Sequence, residues 1–338
     1  MTDFFGLDIG SHSLKAVQLK RDKDKVALLH FATLPSPIKS PGLETDEDKK
    51  TLSSAIRNLV EEAGISAREV VASLPEEKLF TRVVEFPRMS AKEISSSLGY
   101  EVGRYIPIPV EEADLDFEIV SEGGKKTEVL LVAAPKRLTR AYLEVLERGG
   151  LSVLALEPET TACVRAVIGK EDKSPPTLVV SIGASTTDLV IVEAGKIRFT
   201  RSVATGGTAL GRAIAQTLGF EEEQAEAYKE SYGLSRELEG KVEEALRPVF
   251  KVIVEEMRRS IDFYDSRKEG SSVRRIILSG GSANLPGVVV YLASEFGLEV
   301  QKGNPWRQIE IPKEFNKEEL EEKGPSLAVA IGLALREV

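Results

Sequence analysis

Two stretches of the chain combine residue types suited to phosphate chemistry. The first, FFGLDIGSHSLKAVQL (4–19), carries Asp8, Gly10, Ser11, Ser13 and Lys15. The second, VVSIGASTTDLVIV (179–192), carries Gly183, Ser185, Thr186 and Thr187 in a similar arrangement. In each, an apolar run enters a glycine-centred polar turn and leaves as a second apolar run, the pattern of a β-hairpin. The glycines let backbone N–H groups approach a phosphate closely, and the hydroxyls add donors. Two such turns facing each other would hold one polyphosphate from both sides. Asp8 suits an Mg2+ ion held through water, while Lys15 offsets phosphate charge.

Aligned on Gly10 and Gly183, the copies differ at one instructive position: Ser181 stands where the first copy has Asp8. Serine keeps a hydroxyl but carries no charge, so it orders a metal's water shell or an attacking water less well. Asp188, seven residues on, is expected to point elsewhere. Three later features extend the pattern. Gly206 and Gly207 precede a helix start, where phosphate or ribose can approach. Glu226 and Lys229 lie three apart on one helical face. Gly280, Gly281 and Ser282 follow the apolar strand RRIIL.

The elements that must position these residues read as an α/β chain. After the first hairpin comes a Pro-rich stretch, then a helix with Leu52, Ile56, Leu59, Val60 and Ala63 on one face, then the buried strand EVVASLP. Residues 76–150 read as an inserted β-α-β-β-α subdomain with a Gly-Gly turn in SEGGKK. A strand and helix return to the first domain, and KEDKSPP (170–176) reads as a linker. After the second hairpin and its third strand, helices follow, the longest from about 239 to 266 with Pro248 expected to kink or split it. The chain closes on the apolar helix GPSLAVAIGLALREV, with Pro325 near its first turn.

The bulk numbers bound the function. With 338 residues the chain is long enough for two domains and a sizeable core. A net charge of −9 argues against a general affinity for nucleic acid or anionic lipid. One cysteine, Cys163, excludes an internal disulfide framework, and two histidines, His12 and His30, are too few for a typical His-based metal site. No signal peptide and no membrane-length apolar stretch is visible, so the reading is cytoplasmic.

DIGSHSLK, SIGASTTDL, AEAYKESYG and SGGSANLPGV, in this order, resemble the first phosphate loop, second phosphate loop, ribose-adenine helix and adenosine turn of the actin-like ATPases. The resemblance covers essentially the whole chain. It implies a two-domain actin-like (ribonuclease H-like) fold with a nucleotide cleft, ATP or ADP with Mg2+ as ligands, and Glu226 and Lys229 on the ribose and base. The same superfamily places polar residues where a returning strand meets the interdomain helix, to orient the attacking water. Glu157 and Glu159 are the candidates there, and a structural role fits them equally. The implied domains are 1–75, 151–172 and 322–338 for the first, 76–150 for the insert and 173–321 for the second.

Within that superfamily, ASLPEEKLFTRVVEFPRM, YEVGRYIPIPVEEADLDFEIV, LLVAAPKRLTRAYLEVLERGGL and SLAVAIGLALRE are similar to the PilM family of type IV pilus assembly. That resemblance implies an adaptor at the inner face of the inner membrane. It would grip the N-terminal cytoplasmic tail of PilN beside the inserted subdomain, within a PilN/PilO complex that communicates with the pilus motor ATPases. Membrane contact would come only through the partner, and hydrolysis would be slow because of Ser181. Three alternatives stay open. An FtsA-like division scaffold would carry a C-terminal linker and amphipathic helix, whereas the sequence stops at Arg336-Glu337-Val338. A small-molecule kinase would need an acid at the head of SIGASTTDL. A purely structural scaffold would not need Asp8, the double glycine at 280–281 and the Glu226/Lys229 helix together.

Overall fold

A computed structural model of the chain describes residues 3–23, 25–38, 43–123, 126–169, 175–267 and 271–337. Most of the expected linker, the 172/173 domain boundary and Gly124 of the Gly-Gly turn lie outside these residues.

Strands β1 (Phe4–Ile9), β2 (Ser13–Asp22) and β3 (Lys25–Pro35) form an antiparallel meander. Helix α1 (Asp46–Glu62) follows and leads into β4 (Glu69–Leu74), which runs parallel to β1. The insert then contributes β5 (Phe80–Pro87), α2 (Ala91–Glu101), β6 (Ala113–Gly123), β7 (Lys126–Pro135) and α3 (Lys136–Arg148). Strand β8 (Ser152–Pro158) returns parallel to β4, and α4 (Glu159–Val167) starts directly after it.

The second half repeats this plan with β9 (Thr177–Ile182), β10 (Thr187–Glu193) and β11 (Lys196–Val203) as its meander. Helices α5 (Gly207–Leu218), α6 (Glu222–Tyr232) and α7 (Lys241–Arg267) come next, followed by β12 (Arg275–Ser279), α8 (Val288–Phe296) and β13 (Glu299–Lys302). The two large sheets have matching strand orders, β3-β2-β1-β4-β8 and β11-β10-β9-β12-β13. A three-stranded sheet, β5-β7-β6, belongs to the insert, and α9 (Lys317–Ala334) packs back on α4 and β1.

Central strands are apolar because both faces are covered. All six residues of β1 are buried, Asp8 among them, which marks that carboxylate as exceptional. The hydrophobic side of α1, including Leu52, Ile56, Leu59 and Val60, packs into the first core as its spacing predicts.

Three elements differ from the sequence reading. Helix α3 closes the expected insert, yet its Leu138, Tyr142, Val145 and Leu146 pack into the first core beside α1. Helix α7 runs through Pro248, which lies about two turns in, without division. Helix α9 begins at Lys317, capped by the Asn316 side chain, so Pro325 falls inside it. The carbonyl of Pro325 accepts the Gly280 N–H (2.8 Å) and the Ser279 hydroxyl (3.1 Å), tying this irregular turn to the end of β12.

The insert docks on the second half through β11. Thr200 donates its hydroxyl to the Thr81 carbonyl (3.0 Å), Arg198 pairs with Glu128 (2.9 Å), and Lys196 pairs with Glu118. Among the described residues no helix is long and apolar enough to cross a membrane.

Candidate functional site

In open α/β sheets, ligands bind beyond the carboxyl ends of parallel strands. Here β1, β4 and β8 on one side, and β9 and β12 on the other, are two parallel sets, and the candidate residues sit at their carboxyl ends.

The first wall is built on Asp8, which is 5% exposed. Its Oδ2 accepts from Lys15 Nζ (3.0 Å), and its Oδ1 accepts from the Ser73 hydroxyl (3.2 Å), whose oxygen also accepts the Ile9 N–H (3.2 Å). Antiparallel pairing sets Lys15 directly opposite Asp8, so the ion pair follows from strand register. Gly10 begins the turn between them. A Cβ there would meet the Ser13 carbonyl at 2.8 Å and approach Lys15 Nζ to 3.7 Å. Ser11 and Ser13 are half-buried on this turn. The donor set fits an Mg2+ ion reached through water, with Asp8 as its anionic side; such an ion would neutralise phosphate charge.

The second wall is pinned by the start of α5. Gly183 N–H donates to the Thr186 carbonyl (2.9 Å), while the Gly207 and Thr208 amides donate back to the carbonyls of Gly183 (2.8 Å) and Ala184 (2.9 Å). Gly206 is needed there because a Cβ would lie 2.7 Å from both carbonyls. These bonds commit two of the first amides of α5 to the turn itself. Thr187 is fully buried and donates its hydroxyl to the Thr205 carbonyl (2.7 Å), so it braces the hairpin and does not face the cleft. Ser185 is exposed and Thr186 half-buried.

The two turns meet. Ser11 Oγ and Ser185 Oγ are 2.8 Å apart, joined across 174 residues of sequence.

A third corner gathers the later motifs. Lys229 is buried, pairs with Glu226, and donates to the Gly207 carbonyl (3.2 Å). A Cβ on Gly207 would lie 2.9 Å from Ser282 Oγ, and one on Gly211 would lie 1.9 Å from Glu226 Oε1. Gly280 adopts φ +80°, and a Cβ would meet the Ile182 carbonyl at 2.4 Å, so no other residue fits that turn. Around Gly281 the space is open.

The two acids flagged near the interdomain helix separate cleanly. Glu157 is buried with both oxygens held by Arg165 (2.6 and 2.9 Å), and Arg336 pairs with it as well. Its work is structural, joining β8 to α4 and the end of the chain. Glu159, at the start of α4, instead feels the cleft. Burial raises its pKa well above the carboxylate range; Asp8, Asp188 and Glu76 raise it further, and Lys15 opposes them.

Two carboxyls gain importance from the structure. Asp188 lies directly opposite Ser181 in the β9–β10 pairing. It is buried, its Oδ1 has no hydrogen-bond partner, and burial followed by the charge of Glu76 pushes its pKa up to about 7. Glu76, in the short turn after β4, is buried and accepts a hydrogen bond from the Thr160 hydroxyl (2.7 Å). Burial raises its pKa, and the threonine hydroxyls around it pull the other way. Sequence reasoning missed Glu76 because an acid after Pro75 looks like a solvated turn. The available signal was position: it follows the carboxyl end of a strand parallel to the one bearing Asp8. Among the described residues no three His, Cys, Asp or Glu side chains are grouped to ligate a metal directly.

Comparison with known proteins places this geometry in a family. The family model described as type IV pilus assembly protein PilM matches residues 6–338. A solved PilM-PilN type IV pilus biogenesis complex contains a chain of the same architecture. It is 31% identical, with a TM-score of 0.87, over 99% of this chain and 98% of that one. The cell division protein FtsA of Streptococcus pneumoniae serotype 2 (strain D39 / NCTC 7466) is 25% identical over 88% of this chain and 74% of its own length. The crystal structure of MreB5 of Spiroplasma citri bound to AMPPNP shares the fold at 13% identity and a TM-score of 0.57, over 98% of this chain and 95% of that one.

Proposed function

Because the chain belongs to the PilM family of type IV pilus assembly proteins, we propose that it is a cytoplasmic, ATP-binding adaptor that grips the N-terminal tail of PilN and turns nucleotide over slowly. The observation that carries the nucleotide reading is the meeting of two glycine turns, Ser11 against Ser185, above a buried Asp8–Lys15 pair. Backbone amides and hydroxyls of Gly10, Ser11, Ser13, Ser185 and Thr186 take the phosphates, with Gly183 shaping the second turn. Glu226 and Lys229 take the ribose and base edge, and the base lies against the backbone at Gly280–Ser282. Mg2+ sits on the Asp8 side through water.

Slow turnover follows from charge. Ser181 offers no carboxylate at the head of the second turn, and a lost preorganised charge costs roughly 10²–10³ in rate. Glu159 is the acid left to orient water. The tail site lies beside the inserted subdomain, taken as 76–150 between domain 1 (1–75, 151–172, 322–338) and domain 2 (173–321). The PilN/PilO complex carries the adaptor at the inner face of the inner membrane, next to the pilus motor ATPases. The solved PilM-PilN complex supports the partner, and the actin-like neighbours support the nucleotide.

Gly211→Val tests the adenosine corner. Its added side chain displaces the Glu226 carboxylate, whose flexible end yields without backbone movement. ATP affinity is expected to fall about tenfold, equivalent to about 1.4 kcal/mol, with little change in melting temperature. Titration of a fluorescent ATP analogue reads the first and thermal unfolding the second. Unchanged affinity in a folded variant would place the nucleoside elsewhere.

A further inference from the structure

Helix α7 presents two different faces to solvent. On one, Lys251 pairs with Glu255 (4.0 Å), and Arg258 reaches across to Glu295 on α8 (2.9 Å). The other is a single stripe of Val252, Glu256, Arg259, Phe263 and Arg267. Their spacing of three or four residues aligns them along one side of the helix for about 22 Å. Val252 is 45% exposed and Phe263 41%, large apolar side chains left in water.

Strand β11 widens the stripe into a patch. Alternation turns Arg198 and Thr200 toward the insert, and Phe199 and Arg201 toward α7. Phe199 meets Phe263 with ring centroids 5.3 Å apart, and the Arg267 guanidinium lies 4.3 Å from the Phe263 ring centre. Glu256, the one acid of the stripe, is mostly buried and is held by Arg201 (2.6 Å) and Arg259 (2.7 Å). Asp262 falls outside the stripe by helical spacing. Three guanidiniums against one carboxylate leave the patch positive in a chain whose net charge is −9.

We propose that this patch is a docking surface for an acidic segment of a partner protein, anchored by an apolar or aromatic side chain on Val252 and Phe263. Protein interfaces concentrate arginine and aromatic residues at their centres, where lysine and glutamate are depleted. The arginines are set before a partner arrives. Glu256 fixes Arg201 and Arg259, and Phe263 fixes Arg267, so little side-chain freedom is lost on docking. Charge selects the occupant. The patch attracts carboxylates at short range, while the negative charge of the whole chain disfavours extended polyanions and anionic membranes. Phe199 and Arg201 point away from the insert, so this surface is separate from the proposed tail site and needs no nucleotide.

The probe is a fluorescein-labelled peptide of four Glu-Glu-Tyr repeats, its binding to the full chain read by anisotropy at low salt. Four Glu-Glu-Ser repeats remove the anchor, and four Lys-Lys-Tyr repeats reverse the charge. Wild-type protein is expected to bind the Glu-Glu-Tyr peptide about tenfold more tightly than either control, and less tightly as salt rises. Arg259→Glu, at a side chain 65% exposed, should weaken binding about tenfold and leave the melting temperature unchanged. Lys251→Glu makes the same charge change on the other face of α7 and should leave binding unchanged. Phe263→Ser reads the anchor separately and should bring the Glu-Glu-Tyr affinity down to that of Glu-Glu-Ser. Absent binding, or equal weakening by Arg259→Glu and Lys251→Glu, would overturn the proposal. So would patch variants that instead abolish self-association or binding to phosphatidylglycerol vesicles, which would assign the surface to a second copy or to lipid.

Discussion

Asp8→Asn is expected to remove the magnesium dependence of nucleotide binding while leaving the fold intact. The asparagine oxygen still accepts from Lys15 or Ser73, so the buried hydrogen bonds of the first wall persist in part. What disappears is the negative charge through which the hydrated metal is held. Groups that orient a metal's ligands are worth about 10- to 100-fold in metal affinity, and the loss here should fall in that range for ATP measured with Mg2+. The same titration in EDTA should give equal or tighter binding. Removing Asp8 takes a like charge away from the phosphates and frees Lys15, otherwise neutralised at 3.0 Å, to meet them. Calorimetric titration with and without EDTA checks both arms. Equal weakening in both would make Asp8 a bracing residue of the hairpin, with no bearing on metal. Asp8→Ala is the poorer variant, because it strands the Lys15 ammonium in a site where its side chain is only 14% exposed.

The second large effect is on stability, and its sign is opposite to the usual result of deleting a buried charge. Asp188→Asn should stabilise the protein at pH 8 by on the order of 2 kcal/mol and leave it unchanged at pH 4. Its carboxyl titrates near the ordinary value in the unfolded chain but at about 7 in the folded one. As pH rises between those values, the unfolded state releases its proton first and is favoured, so native stability falls across that window. Above it the folded protein carries a buried, incompletely partnered carboxylate, a burden asparagine does not have. Urea unfolding at the two pH values reads the difference directly. A less stable variant at pH 8 would mean that the ionised Asp188 is compensated within the native state.

Such residues show where sequence is transparent and where it is not. Both hairpins, Asp8, the two glycine turns and the Glu226/Lys229 pair were legible because each depends on local chemistry. A glycine between apolar runs makes a turn, an acid in an otherwise apolar strand demands a reason, and three-residue spacing shares a helical face. The matched sheet orders follow from the same repeated pattern.

Long-range contacts hid the rest. Glu157 and Glu159 are equivalent on paper, and the arginines Arg165 and Arg336, the latter 179 residues away, separate a structural anchor from a cleft residue. Thr187 carries the right hydroxyl, but strand alternation turns it inward to the Thr205 carbonyl. Glu76 looks solvated until the insert and β11 close over it. Pro325 signalled a helix start, yet its own carbonyl serves Gly280 and Ser279, contacts no local pattern announces. Helix α3 reads as the last element of the insert, though its apolar face packs beside α1 into the core of the first sheet.

The cleft is proposed to hold ATP without consuming it quickly. The most direct measurement is to incubate the purified protein with Mg2+ and labelled ATP, isolate the complex, and follow bound ATP and ADP over time at pH 7. Bound ATP is predicted to persist far beyond the seconds typical of a cycling ATPase, with the slow loss rising as the pH is raised. Rapid conversion to ADP would contradict it, because an uncharged Ser181 could not then be what limits the chemistry.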